Sequence, residues 1–199
     1  MKISSGYPIN GEIVIKAMPY IKAENKTLYV AMLFSFFVGL RAKEIFSLSW
    51  NDVNIERKSV TYTHKEKDTI IKIIPESILR EFVSFKGEEE HEDTDPIFTT
   101  INKSRLTNGW TKKQLYNILE KYKLNYFHFN DLYKLNKELL FRESAFNIPL
   151  LIKPSVYPTD LTSKYIDFSD KNQRKINEEI IDFFYQKIQF DNVHLDYTN

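Results

Sequence analysis

Residues 27–40, TLYVAMLFSFFVGL, are apolar around the whole circumference of a helix, and an arginine follows at once. A helix with no polar face is a buried helix, so this stretch sets the centre of any fold the chain adopts. Gly39 closes it, as glycine closes helices by turning left-handed. A second short helix is predicted over 41–48, with Leu40, Ile45 and Leu48 turned inward. Arg41 falls in its first turn, where a cation opposes the helix dipole. Free N–H groups at that end attract anions, and an arginine beside them makes a planar, two-pronged phosphate donor. The plain alternative is a surface arginine paired with Glu44, three residues on.

Helical spacing precedes this centre, with apolar residues at 13, 14, 17, 18 and 21. After it the period changes to that of strands. Residues 59–63 and 69–74 read as a hairpin around the polar turn HKEKD, and Pro75 stops the second strand. A helix over 76–85 turns Ile78, Leu79, Phe82 and Val83 inward, and residues 97–99 are expected to form a short strand. The helix over 111–122, capped by Thr111 or Asn108, buries Leu115, Ile118, Leu119 and Tyr122. Another over 130–142 carries the stripe Leu132, Leu135, Leu139 and Leu140, with Asn130 as its cap. A last amphipathic helix is expected over 172–188. Helices, a hairpin and further helices, without a linker between them, define an α+β domain.

Cysteine is absent, which excludes disulfides and thiolate metal sites. The start, MKISSGYPIN, has no apolar core of the signal-peptide kind, and the longest apolar run is too short to span a membrane. A cytoplasmic protein is expected. The net charge of +1 is low for a nucleic-acid binder, but its distribution is uneven. Residues 101–125 hold Lys103, Arg105, Lys112, Lys113, Lys121 and Lys123 against a single acid, Glu120, whereas residues 87–95 hold six acids and no Lys or Arg. The basic segment suits a DNA face and the acidic one a loop turned away; both also suit an ordinary solvated surface.

The stretch 37–53, FVGLRAKEIFSLSWNDV, resembles the first active-site box of the tyrosine recombinases, the phage-integrase family, whose common form is TGLRxxELLxLxWxDI. Gly39, Leu40, Arg41, Glu44, Leu48, Trp50 and Asp52 fall into place. The resemblance covers about residues 8–170. It implies a mostly helical catalytic domain with a small antiparallel sheet over 1–170, and a C-terminal helix and tail over 171–199 that pack on it or on a neighbouring protomer. It implies double-stranded DNA as partner, and cleavage by a tyrosine hydroxyl through a 3′-phosphotyrosyl link, with neither metal nor cofactor. Arg41 would hold the scissile phosphate. The hairpin lysine falls on Lys67 when Pro75 is placed on the family proline, and on Lys65 when the opening threonine is placed first; Lys67 is preferred. Tyr165, in LTSKYID, follows Asn130 by 35 residues and matches the nucleophile in spacing and context.

Three positions depart from the family pattern. Where the family reads HxLRH, this chain has Asn130, Asp131, Leu132, Tyr133 and Lys134, so the histidine is Asn130 and the second arginine is Tyr133. The histidine before the tyrosine falls on Val156. Tyr133 carries no cationic fork, and one residue along a helix turns about 100°, so Lys134 points elsewhere. Each lost donor costs about 3 kcal/mol in such a site. The reading is therefore a divergent integrase domain of a mobile element, weakened or inactive, from a chain lacking the family's N-terminal DNA clamp. Lys65, Lys103, Arg105, Lys112 and Lys113 are its expected DNA-binding residues. The alternatives are a non-catalytic DNA-binding protein that keeps the scaffold and Arg41 for phosphate contact, and a protein–protein module using helix 172–188.

Overall fold

The computed structural model describes residues 11–64, 68–87 and 91–143. Helix α1 (Gly11–Glu24) buries Val14, Ile15, Ala17, Met18 and Ile21. Asn25 separates it from α2 (Lys26–Leu33), its side chain accepting from the Leu28 N–H at 2.8 Å. α2 runs on as a π-helical turn, Phe34–Val38, whose residues are all buried. Gly39 ends it at φ +70°, the left-handed cap expected of it. α3 (Ala42–Ser47) follows directly, then a 3₁₀ turn, Trp50–Asp52.

The sheet has three antiparallel strands in the order β1 (Val53–Asn54), β2 (Ser59–His64), β3 (Asp68–Ile73). Its register pairs Val60 with Lys72 and Tyr62 with Ile70. The short β1 was not expected: two residues carry no readable alternation. α4 (Glu76–Lys86), α5 (Asn108–Lys121) and α6 (Phe129–Glu143) complete the described fold. The core centres on α2 and its π turn, with the Phe34 ring against Phe82 at 5.4 Å and Phe98 at 5.7 Å. α6 packs across the π turn, which brings the second family box against the first.

Several local expectations are corrected. Val83 is 44 % exposed, because the buried stripe of α4 is Ser77, Ile78, Leu79 and Phe82. Residues 97–99 form no strand; only isolated bridges join Ser49 to Pro96 and Thr99 to Arg105. The cap of α5 is Thr107, whose hydroxyl accepts from the Trp110 N–H, rather than Thr111 or Asn108. Asn130 does not cap α6. It lies within the first turn, and the Asp131 carboxylate accepts instead from the His128 N–H at 2.9 Å. A carboxylate in that position also suits the helix dipole. Leu132 and Leu135 are buried as expected. The expected helix 172–188 lies outside the described residues, as does the boundary near residue 170.

Candidate active site

The turn that delivers Arg41 is held by three polar side chains inserted into the core. A helix leaves its last four carbonyls without intrahelical partners, and here they point into apolar surroundings where an unmet acceptor is costly. Asn136 of α6 donates its amide to the Phe36 carbonyl at 2.9 Å and to that of Phe37 at 3.4 Å. Lys72 of β3 donates its amine to the Val38 carbonyl at 3.3 Å and to the Gly39 carbonyl. Ser35 donates to the Leu40 carbonyl at 3.0 Å. A cation at this helix C-terminus is also favoured by the negative end of the dipole.

Arg41 itself is the N-cap of α3, extended at φ −75° and ψ 155°, and is exposed. Its backbone N–H donates to the Glu44 carboxylate at 2.7 Å, so Glu44 does meet Arg41, through the main chain. The guanidinium carbon lies 5.2 Å from the centroid of the Tyr133 ring. On the far side of one helical turn, the Lys137 amine lies 5.6 Å from the same ring. Tyr133, at the family's second arginine position, is thus an aromatic platform touched by two cations.

Electrostatically the site is cationic. Lys72 is almost wholly buried, and burial lowers its amine to about 7; Lys137 and Arg41 push the same way and Glu44 opposes them. Burial lowers Lys137 to about 8, with Arg41 adding to the shift and Glu44 again opposing. The Lys137 amine has no hydrogen-bond partner among the described residues. Tyr62 lies under the cluster, 5.8 Å from the Lys72 amine. Burial raises its hydroxyl, assisted by Glu44 and Tyr133 and opposed by Arg41.

Sequence reasoning placed Arg41 and Tyr133 here but missed the roles of Lys72 and Asn136. For Lys72 a signal exists in TIIKII: Ile70 and Lys72 share one face of β3 and Ile74, just past its end, continues the alternation; Lys72 and Ile74 are buried and Ile70 partly so. For Asn136 the signal is an amide inside the stripe Leu132, Leu135. Lys134 turns away, as expected, and pairs with Asp131 at 3.1 Å.

The remaining candidates lie apart from this cluster or outside the described residues. Asn130 is exposed and lines a cleft of about 300 Å³ between the starts of α5 and α6, together with Lys112, His128 and Lys134. Lys113 is exposed on α5, and Lys103 sits at φ +58° at the tip of a tight turn. Arg105 has a structural engagement that was not anticipated. Its guanidinium donates to the carbonyls of Phe46 (3.2 Å), Ser47 (2.7 Å) and Leu48 (3.1 Å) and to the Ser49 hydroxyl (3.0 Å). It caps the C-terminus of the helix that Arg41 begins. Lys65, Lys67, Val156 and Tyr165 lie outside the described residues. Part of the acidic segment is docked: His91 stacks on Trp50 at 4.3 Å, and the Trp50 N–H donates to the Asp95 carbonyl. Among the described residues no group of three His, Cys, Asp or Glu is placed to hold a metal ion, and no helix is long and apolar enough to cross a membrane.

A glycine turn delivers an arginine beside a helix that bears the second box, the juxtaposition that the resemblance implied. The chain belongs to the phage integrase family, whose model matches residues 12–140. Its fold is similar to that of XerA recombinase, at a TM-score of 0.63 and 12 % identity over 90 % of this chain and 65 % of that one. It is similar also to the integrase from mycobacterium phage Brujita (0.61, 15 %, 91 % and 58 %). The Tn1549 transposon integrase, solved with circular intermediate DNA, gives 0.62 and 12 % over 87 % and 65 %. The chain therefore spans roughly three fifths of the length of these solved chains. No curated protein matches its sequence at a significant level.

Proposed function

We propose that this chain is a divergent integrase catalytic domain that binds double-stranded DNA and cuts it through Tyr165. The observation that carries the reading is the convergence of Arg41, Lys72 and Lys137 around the Gly39 turn, where Glu44 is the carboxylate among the described residues that opposes the lowering of both lysines. Such a cluster is suited to the charge that builds on a phosphodiester as it is attacked. In the reaction, the Tyr165 oxygen bonds to phosphorus, the 5′ oxygen leaves with a proton, and the strand is held as a 3′-phosphotyrosyl ester. Lys67, or Lys65 beside it, is the candidate proton donor. Integration or excision of a mobile element in the cytoplasm is the setting this chemistry fits, with the 172–188 segment joining protomers on DNA.

Tyr133, Asn130 and Val156 favour a weakened reaction, and Tyr133 supports a second reading: a DNA-binding protein that keeps the scaffold without cutting. Covalent trapping separates the two. Nicked duplexes from the gene's own flanks are incubated with wild type, Tyr165→Phe and Arg41→Ala, then run on a denaturing gel. A shifted band in wild type alone supports the enzyme. Salt-sensitive binding without a band supports the second reading, and absence of both rejects a DNA-directed role for this chain.

A further inference from the structure

We infer that Lys137 supplies the second cation of the phosphate site, reaching from one helical turn beyond Tyr133, where the family has its arginine. The inference rests on the DNA-binding reading above and concerns how this chain completes a site that its sequence leaves short of a donor.

Positions 133 and 137 are four apart on α6, so they stand one above the other on a single helix face. Side chains on a helix tilt toward its N-terminus, which directs a lysine at 137 over the turn that holds residue 133. Its amine is found there, 5.6 Å from the Tyr133 ring, while Arg41 approaches the same ring at 5.2 Å. Tyr133 gathers two cations and neutralises neither, since an aromatic face attracts charge without supplying an anion.

Left as it stands, the arrangement is unfavourable. A buried amine without an acceptor carries a desolvation cost, and the Lys137 Nζ has no hydrogen-bond partner among the described residues. Arg41 repels it, and both desolvation and this repulsion lower its proton affinity. Among the described residues, the charged and titratable groups bearing on it are Arg41 and Glu44 at α3, Lys72 on β3 and Tyr133 on its own helix. A phosphate received by Arg41 would relieve the repulsion and give the amine its acceptor. Lysine is fit for this because its four-carbon stem lets the ammonium rotate toward an anion as a point charge, where arginine needs a fixed fork.

The test compares Lys137→Met and Lys137→Arg with wild type in DNA binding and thermal unfolding, using a 20-base-pair duplex from the gene's flanks. Lys137→Met is expected to weaken binding about tenfold or more, the worth of one hydrogen bond to a charged group. It should flatten the slope of log K against log salt by about 0.9, the share of one phosphate contact. Its melting temperature should hold or rise, because an unpaired buried amine becomes an apolar chain of similar length. Loss of binding with gain of stability is a pairing that a merely structural lysine does not give. Lys137→Arg should restore the salt slope and lose less affinity than wild type from pH 7 to 9, since Lys137 deprotonates there in wild type alone while Lys72 does so in both proteins. Wild-type affinity and slope in Lys137→Met, or binding and stability lost together without rescue by arginine, overturns the inference and leaves the DNA-binding reading intact. A wild-type chain that does not bind the duplex overturns both.

Discussion

The amide of Asn136 occupies the space in which a side chain on Gly39 would have to stand. A Cβ built on Gly39 overlaps the Asn136 Oδ1, and Gly39 is also held at φ +70°. The two families of contact are linked: the amide that excludes a side chain at 39 is the one that satisfies the Phe36 and Phe37 carbonyls. Gly39→Ala therefore meets two costs at once, left-handed backbone strain of about 1–2 kcal/mol and displacement of a buried amide from its acceptors. We expect about 2–4 kcal/mol of lost stability, read from urea unfolding. A loss under about 0.5 kcal/mol would mean that the amide moves freely and the clamp is loose.

Lys72 makes stability depend on pH in a defined direction. Its folded-state amine is lowered to about 7 from an ordinary 10.5. Between those values the unfolded chain holds a proton that the folded chain has released, so stability rises as pH rises through the window. Below about 7 both states are protonated and the cost of burying the charge is present in full. Lys72→Met should reduce the slope of stability against pH by up to about 1.4 kcal/mol per unit across this window. The residual slope there belongs in part to Lys137, lowered to about 8 with the same sign. Urea titrations at several pH values check it, and parallel curves for wild type and variant would show that Lys72 titrates normally.

What was legible in the sequence was local. Gly39, Arg41 and the inward Leu40, Ile45 and Leu48 were readable because a helix end and a short amphipathic helix are written in consecutive residues. The hairpin was readable because both strands exceed a single period of alternation. The clamp was not, because its members act over long separations: Lys72 meets Gly39 across 33 residues and Asn136 meets Phe36 across 100. Polar residues inside apolar stripes announce that a partner exists without saying where. Arg105 shows the converse. Lying among Lys103, Lys112 and Lys113 it reads as part of a basic surface, yet its guanidinium is turned onto α3 carbonyls nearly 60 residues away.

That engagement gives Arg105 a testable distinction from its neighbours. Arg105→Ala removes the cap from the C-terminus of α3 and should cost about 1–2 kcal/mol. Arg105→Lys should recover little of it, because one ammonium cannot reproduce a fork that meets the Phe46, Ser47 and Leu48 carbonyls and Ser49 together. Lys113→Ala, on an exposed stretch of α5, should leave stability within about 0.5 kcal/mol while lowering the salt slope of DNA binding if that surface faces phosphate. Equal melting curves for Arg105→Ala and Lys113→Ala would remove the capping role.

Tyr133→Arg examines the departure at the second box directly. It returns a planar fork to the position where the resemblance expects one, within reach of whatever phosphate Arg41 holds. It also removes the ring that Arg41 and Lys137 share, and sets a third cation beside them with Glu44 already engaged by the Arg41 N–H. The variant should therefore be less stable than wild type and bind DNA more tightly, with a steeper salt dependence. Any phosphotyrosyl product should accumulate faster, by up to about a hundredfold for one restored donor. Tyr133→Phe serves as the control, since it keeps the aromatic face and loses only the hydroxyl; it should match wild type in stability. Denaturing gels, salt titrations and melting curves on the three proteins suffice. A Tyr133→Arg chain that is destabilised without any gain in DNA affinity would mean that position 133 does not face the phosphate, and that the cations around the Gly39 turn serve the core alone.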